Sequence, residues 1–107
     1  MSTPAIAILC TAPDAASAER IAGVLVDEKL AACVNLVPGL SSTFRWEGKV
    51  QREPEVLLLI KTQRARFDAV CARVKALHPY TVPELIALPI ESSTPDYLAW
   101  LIENTTS

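Results

Sequence analysis

The chain is poor in glycine, histidine and cysteine. Its three glycines, Gly23, Gly39 and Gly48, leave no glycine-rich loop to cradle a phosphate. One histidine, His78, limits any Cys–His nucleophilic pair to a single imidazole, and no third group stands ready to orient it. There is no G-x-S-x-G motif. These gaps predict that the chain is not an enzyme. Cys10, Cys33 and Cys71 are odd in number and widely spaced, which argues against a disulfide framework and for a reducing, cytoplasmic setting. No C-x-x-C exists to begin a structural zinc site. Basic residues number 10 against 12 acidic ones, with net charge −2 and no basic stripe. Nucleic acid and membrane surfaces are therefore not expected partners. The longest apolar runs, such as 56–60, are far too short to cross a bilayer. The first four residues predict no signal peptide.

What is present is apolar patterning. Half the residues are apolar and 21% charged, so the chain is read as one folded domain, residues 1–107. Residues 33–62 dominate it. Two apolar-rich runs flank Glu47-Gly48, and an acidic-Gly pair between such runs is a strong hairpin signal. Each arm has about 14 residues and, unbroken, would reach about 46 Å at ~3.3 Å per residue. A domain of this length has a radius of gyration of only about 13 Å, so the hairpin must bend, protrude or pair outside its own domain. Pro38-Gly39 predicts a bulge in the first arm, and Pro54 predicts an edge or irregularity in the second.

Around the hairpin the pattern is regular. Residues 5–10 are nearly all apolar and predict a central strand buried on both faces. Asp14 is a good N-cap for a helix over residues 15–30, striped by Ala18, Ile21, Ala22 and Leu25. Phe67, Val70, Cys71, Val74 and Leu77 mark a second helix over 64–77, ended by Pro79. Residues 84–90 predict a fourth strand, and Thr94-Pro95-Asp96 opens a short last helix. The order β-α-β-β-α-β plus a helix is the α+β, ferredoxin-like pattern. Both long helices would cover one sheet face, and the bare face predicts a homo-oligomer built through the hairpin.

Several groups carry chemistry. His78, Tyr80 and Glu84 share one short connector stiffened by Pro79 and Pro83. His78 reads either as a metal or ligand contact or as a helix-end histidine eased by the dipole. Cys10 reads either as a small core hydrophobe or as a soft donor that, with imidazole, suits copper or zinc. Cys33 and Cys71 read as core. Glu53 and Glu55, two apart on one strand, face the same way and can converge on a cation or line a solvated edge. Trp46, near the hairpin tip, reads as an intersubunit contact. Lys61 is a snorkelling lysine or a cation facing an anionic ligand.

Taken together, these segments resemble the CutA family of divalent-cation tolerance proteins. The resemblance is carried by residues 9–14 (L-C-T-A-P-D), 29–35 (K-L-A-A-C-V-N), 37–39 (V-P-G), 46–49 (W-E-G-K), 59–62 (L-I-K-T), His78-Pro79-Tyr80 with Val82-Pro83-Glu84, and Leu88-Pro89-Ile90 with Tyr97-Leu98 and Trp100, in family order over nearly the whole chain. It implies a trimer similar to the nitrogen-regulatory PII proteins, with hairpins paired between subunits. It also implies binding of divalent cations, copper above all, through Cys10 and His78, with Glu84 as a further candidate. Leu77 stands where some members carry the first histidine of a pair, so water or a neighbouring subunit would complete the shell. Ser93 stands where glycine is frequent before the last helix. The second reading is a PII-like sensor that takes a small anionic metabolite between subunits, lined by Trp46, Lys61, His78, Tyr80 and Glu84.

Overall fold

The computed structural model describes residues 3–106. Strand β1 (Ala5–Ala12) leads into helix α1 (Ala15–Asp27), whose first turn is capped by Asp14 accepting from the Ser17 N–H. Strands β2 (Cys33–Trp46) and β3 (Lys49–Gln63) form the expected hairpin. Its turn has φ 51° at Glu47 and 79° at Gly48, the two left-handed residues that a two-residue hairpin turn demands. A single 3-10 turn (Arg64–Arg66) runs into helix α2 (Phe67–Leu77). Strand β4 (Ile86–Pro89) and helix α3 (Pro95–Glu103) complete the chain.

All pairings are antiparallel, in the order β2-β3-β1-β4. From Ile6 in β1 and from Val56 in β3 the buried residues alternate. Ile6, Ile8, Cys10 and Ala12 are buried beside Val56, Leu58, Ile60 and Thr62. That face packs on Ala18, Ile21 and Leu25 of α1 and Val70 and Val74 of α2. Burying each large aliphatic side chain is worth about 1.5–3 kcal/mol.

The second face is different. Helix α3 covers one end of it, with Leu101 seated on Ala5 and Ala32. Elsewhere Val37, Ile86 and Leu88 are exposed. Strand β1 is thus not buried on both faces: Ala7, Leu9 and Thr11 are only half-buried, because no helix lies over them.

Two element ends differ from expectation for local reasons. Helix α1 stops at Asp27, not Leu30. Lys29 takes φ 60°, the Leu30 N–H donates to the Leu25 carbonyl, and the Lys29 N–H donates to that of Val26. This is a Schellman stop with lysine where glycine is usual. Strand β4 begins at Ile86, not Glu84. Beyond Leu9, its first partner, the Thr11 carbonyl is engaged by the His78 ring.

The hairpin does outrun the domain. The molecule measures 44 × 27 × 23 Å. Strand β1 pairs with β3 only from Val56 onward, so residues 49–55 have β2 as their sole ladder partner. The register slips between Val37 and Leu40, a bulge at Pro38-Gly39, with Gly39 at φ 82°. Pro54, opposite Ser41, lies in the stretch of β3 that β1 does not reach, the edge position where proline is tolerated.

Candidate functional site

The connector after α2 folds back onto the end of β1. The His78 N–H continues the helix to the Val74 carbonyl, and the chain then turns extended. The His78 ring, 8% exposed, is fixed at both nitrogens. Nε2 lies 2.7 Å from the Thr11 carbonyl and Nδ1 3.0 Å from the Tyr80 N–H. Because Nδ1 accepts, Nε2 must carry the proton and donate, which defines one neutral tautomer. The Tyr80 ring tilts against the imidazole with centroids 4.7 Å apart.

Tyr80 then ties the connector to the hairpin. Its hydroxyl donates to Glu55 Oε2 at 2.7 Å, and Glu55 is buried. Burial first, and then the Glu55 bond and charge, push the phenol's pKa well up and keep it a donor. Cys10 is fully buried in the main core cluster. Burial pushes its thiol up to about 12, with Glu84, Glu55 and Cys71 adding to the effect. At neutral pH it is a protonated thiol, not a thiolate.

Between the projecting hairpin and this connector lies a groove of roughly 810 Å³. Phe44, Trp46 and Tyr80 line it together with Glu53, Glu55 and Glu84. Among the described residues no lysine or arginine lines it. The structure therefore brings Trp46, Tyr80 and Glu84 together, and sets His78 and Cys10 directly behind them through Thr11 and Tyr80. It does not bring Lys61 there. Lys61 pairs with Ala7 and Cys33, four residues along β3 from the Leu57–Thr11 pair, or about 13 Å at ~3.3 Å per residue. The half-buried thiol of Cys33 donates to Asn35 Oδ1, and Cys71 lies on α2.

A metal fits this constellation incompletely. Among the described residues no three His, Cys, Asp or Glu side chains converge closely enough to hold one. Cys10 would have to lose its proton, and His78 would have to release Tyr80 or Thr11. One chain supplies donors, not a closed coordination shell. The sequence reading missed the Tyr80–Glu55 bond. Its only signal was that Glu53 and Glu55 share a face. The Thr11 carbonyl left no signal, being backbone.

Fold and groove define the class first: an α+β, ferredoxin-like protein with a projecting hairpin and an acid-lined groove at its base. The chain belongs to the CutA1 family, described as "CutA1 divalent ion tolerance protein", whose model matches residues 6–104. It is 55% identical over 98 residues to the divalent-cation tolerance protein CutA of Thermus thermophilus, covering 92% of this chain and 95% of that one. The solved structure of the Thermus thermophilus protein superposes with TM-score 0.93, covering 95% of this chain and 99% of that one at 53% identity. CutA1 from Oryza sativa superposes with TM-score 0.94 at 48% identity, covering 98% of this chain and 96% of that one. CutA from Xylella fastidiosa gives 0.95 at 44% identity, covering 97% of this chain and all of that one, 100%.

Proposed function

We propose that this chain takes part in tolerance of divalent cations as a cation-binding homotrimer, with copper as the preferred ion. The groove's charge carries the reading: three carboxylates line it and, among the described residues, no lysine or arginine. Such a lining attracts cations by charge alone. Cys10 and His78 supply the soft donors that favour copper over harder ions. They are reached by deprotonating the thiol and freeing one imidazole nitrogen, so binding rises with pH. The trimer follows from the bare sheet face and the hairpin's free edges, which another copy would cover. The same charge disfavours an anionic metabolite in this groove.

Calorimetric titration with copper(II) tests the site. Cys10→Ala and His78→Ala should each weaken binding at least about tenfold, the loss of one good ligand interaction. Unchanged affinity in both would remove the pair as ligands. Sedimentation equilibrium at micromolar concentration tests the assembly, and a monomer there would remove the trimer.

A further inference from the structure

We propose that Tyr80 is a positioning residue for His78: its backbone N–H covers Nδ1, the acceptor nitrogen of the ring, and Glu55 on the hairpin holds that cover closed. This rests on the copper reading above only for what an uncovered Nδ1 takes. Three hydrogen bonds run in series from β1 to the hairpin. His78 Nε2 donates to the Thr11 carbonyl at 2.7 Å. The Tyr80 N–H donates to His78 Nδ1 at 3.0 Å. The Tyr80 hydroxyl donates to Glu55 Oε2 at 2.7 Å. A neutral imidazole has one N–H and one acceptor nitrogen. Thr11 engages the N–H, so the electron pair that the ring can give without losing a proton is that of Nδ1. That is the pair on which the Tyr80 N–H sits.

The cover itself spans two residues and is one ordinary hydrogen bond. What holds it is the longer link, which spans 25 residues and joins the connector to β3. Glu55 is buried, and among the described residues no lysine or arginine forms an ion pair with it. A buried carboxylate without a cation leans on its hydrogen-bond donors, because leaving it bare costs its full desolvation. Glu55 therefore fixes the phenol. The phenol ring packs against the imidazole, and the backbone of the same residue closes on Nδ1. Glu55 also stands one residue beyond Val56, the last residue of β3 that β1 reaches. The cover thus hangs on the part of the hairpin whose only ladder partner is β2. His78 and Glu55 are both buried within a single subunit, so the series does not depend on what lies over the groove. A shift of the hairpin at Glu55 loosens Tyr80 and uncovers the donor atom of His78.

Nuclear magnetic resonance of the isotopically labelled full chain, without metal, tests the cover directly. His78 is the sole histidine, so its ring nitrogens give one pair of signals. A coupling between the Tyr80 amide nitrogen and Nδ1, carried across the hydrogen bond, is expected in the parent. Glu55→Gln keeps an oxygen that accepts from the hydroxyl and should keep the coupling. Tyr80→Phe with Glu55→Gln removes the hydroxyl without burying an unpaired charge. It should lose most of the coupling, and the Nδ1 signal should move toward that of an imidazole nitrogen with no donor. A hydroxyl that only stabilised the fold would lower the melting temperature and leave the coupling as it was. That result overturns the proposal, as does a parent with no coupling. Copper(II) calorimetry on separate samples compares the same two variants, which lack the same carboxylate and differ only in the hydroxyl. The double variant should bind about fivefold tighter, the hold of one neutral hydrogen bond released. Equal copper affinity with the coupling lost overturns the claim that the hairpin governs the donor atom. Copper inert in every sample sinks the copper reading instead, and the coupling alone then decides the cover.

Discussion

The inner and outer halves of the hairpin share two strands and one ladder, yet they are different structures. In the inner half, residues 33–37 and 57–63, a third strand lies alongside, and Leu58 and Ile60 have no exposed surface. In the outer half, residues 40–55, no third strand lies alongside among the described residues, and Val50 is 59% exposed. A two-stranded ribbon alone is marginal in water. The outer half is held by a bulge, a turn and one tether, the Tyr80–Glu55 bond. Pairing makes a strand; a neighbour makes it stable. The groove forms where the neighbour runs out, at the end of β1, because there the hairpin's side chains are free of the core.

The strongest way to break this comparison is to cut both halves equally. Ile60→Ala removes fully buried aliphatic volume and should cost about 2–5 kcal/mol in urea unfolding. Val50→Ala at an exposed position should stay within about 0.5 kcal/mol for the isolated subunit. Its effect should appear in sedimentation instead, as weaker association. If Val50→Ala destabilises the subunit as much as Ile60→Ala, the outer half belongs to the core after all. Tyr80→Phe comes next. It leaves the buried Glu55 carboxylate without its donor, at a cost of about 1.5–3 kcal/mol, and should speed proteolysis within residues 40–55 before the inner half is touched. Simultaneous cleavage of both halves would show that the bond is no tether. Gly48→Ala is smaller again. A Cβ at Gly48 meets nothing within 4 Å, so only its φ of 79° opposes the change. The cost should be about 1–2 kcal/mol, felt at the tip. Gly48→Asn, which tolerates that region better, should recover part of it.

The same division explains what the sequence disclosed. The inner half and both long helices are written in apolar alternation and stripes, because burial selects Leu58, Ile60, Val70 and Val74 directly. The turn at Glu47-Gly48 and the bulge at Pro38-Gly39 are written in residues that tolerate those angles. The helix end at Lys29 is not, since lysine in a left-handed conformation advertises nothing. The connector's His78, Tyr80 and Glu84 stood out by residue type and stiffness. Tyr80's partner did not, because Glu55 lies 25 residues away, and pairing across that distance is a property of the fold. The bare sheet face was legible from the element order, yet the apolar run of β1 pointed to a strand buried on both faces, which it is not. A continuous apolar run reads the same whether a helix or another copy covers its second side.

The smallest effect sharpens the comparison from the inner side. Asp14 caps α1, which packs wholly on the inner half. Its hydrogen bonds to the Ser17 backbone N–H and side chain hold its carboxyl below the usual range. A carboxyl whose folded pKa is depressed binds fewer protons folded than unfolded. Its stabilisation is therefore complete above its ordinary value of 3.8 and fades as pH falls through the lower folded value. Asp14→Ala should lower the unfolding midpoint at pH 7, and the gap to the parent should narrow as pH falls below about 4, where the charge-dependent part of the cap is lost. Asp14→Asn, a cap of similar quality without a charge, should keep most of the stability and lose this pH dependence. Because α1 belongs to the inner unit, both changes should move the whole subunit's unfolding while leaving proteolysis of the outer half, relative to it, as it was. A cap variant that loosened residues 40–55 first would mean that the two halves of the hairpin are not separable.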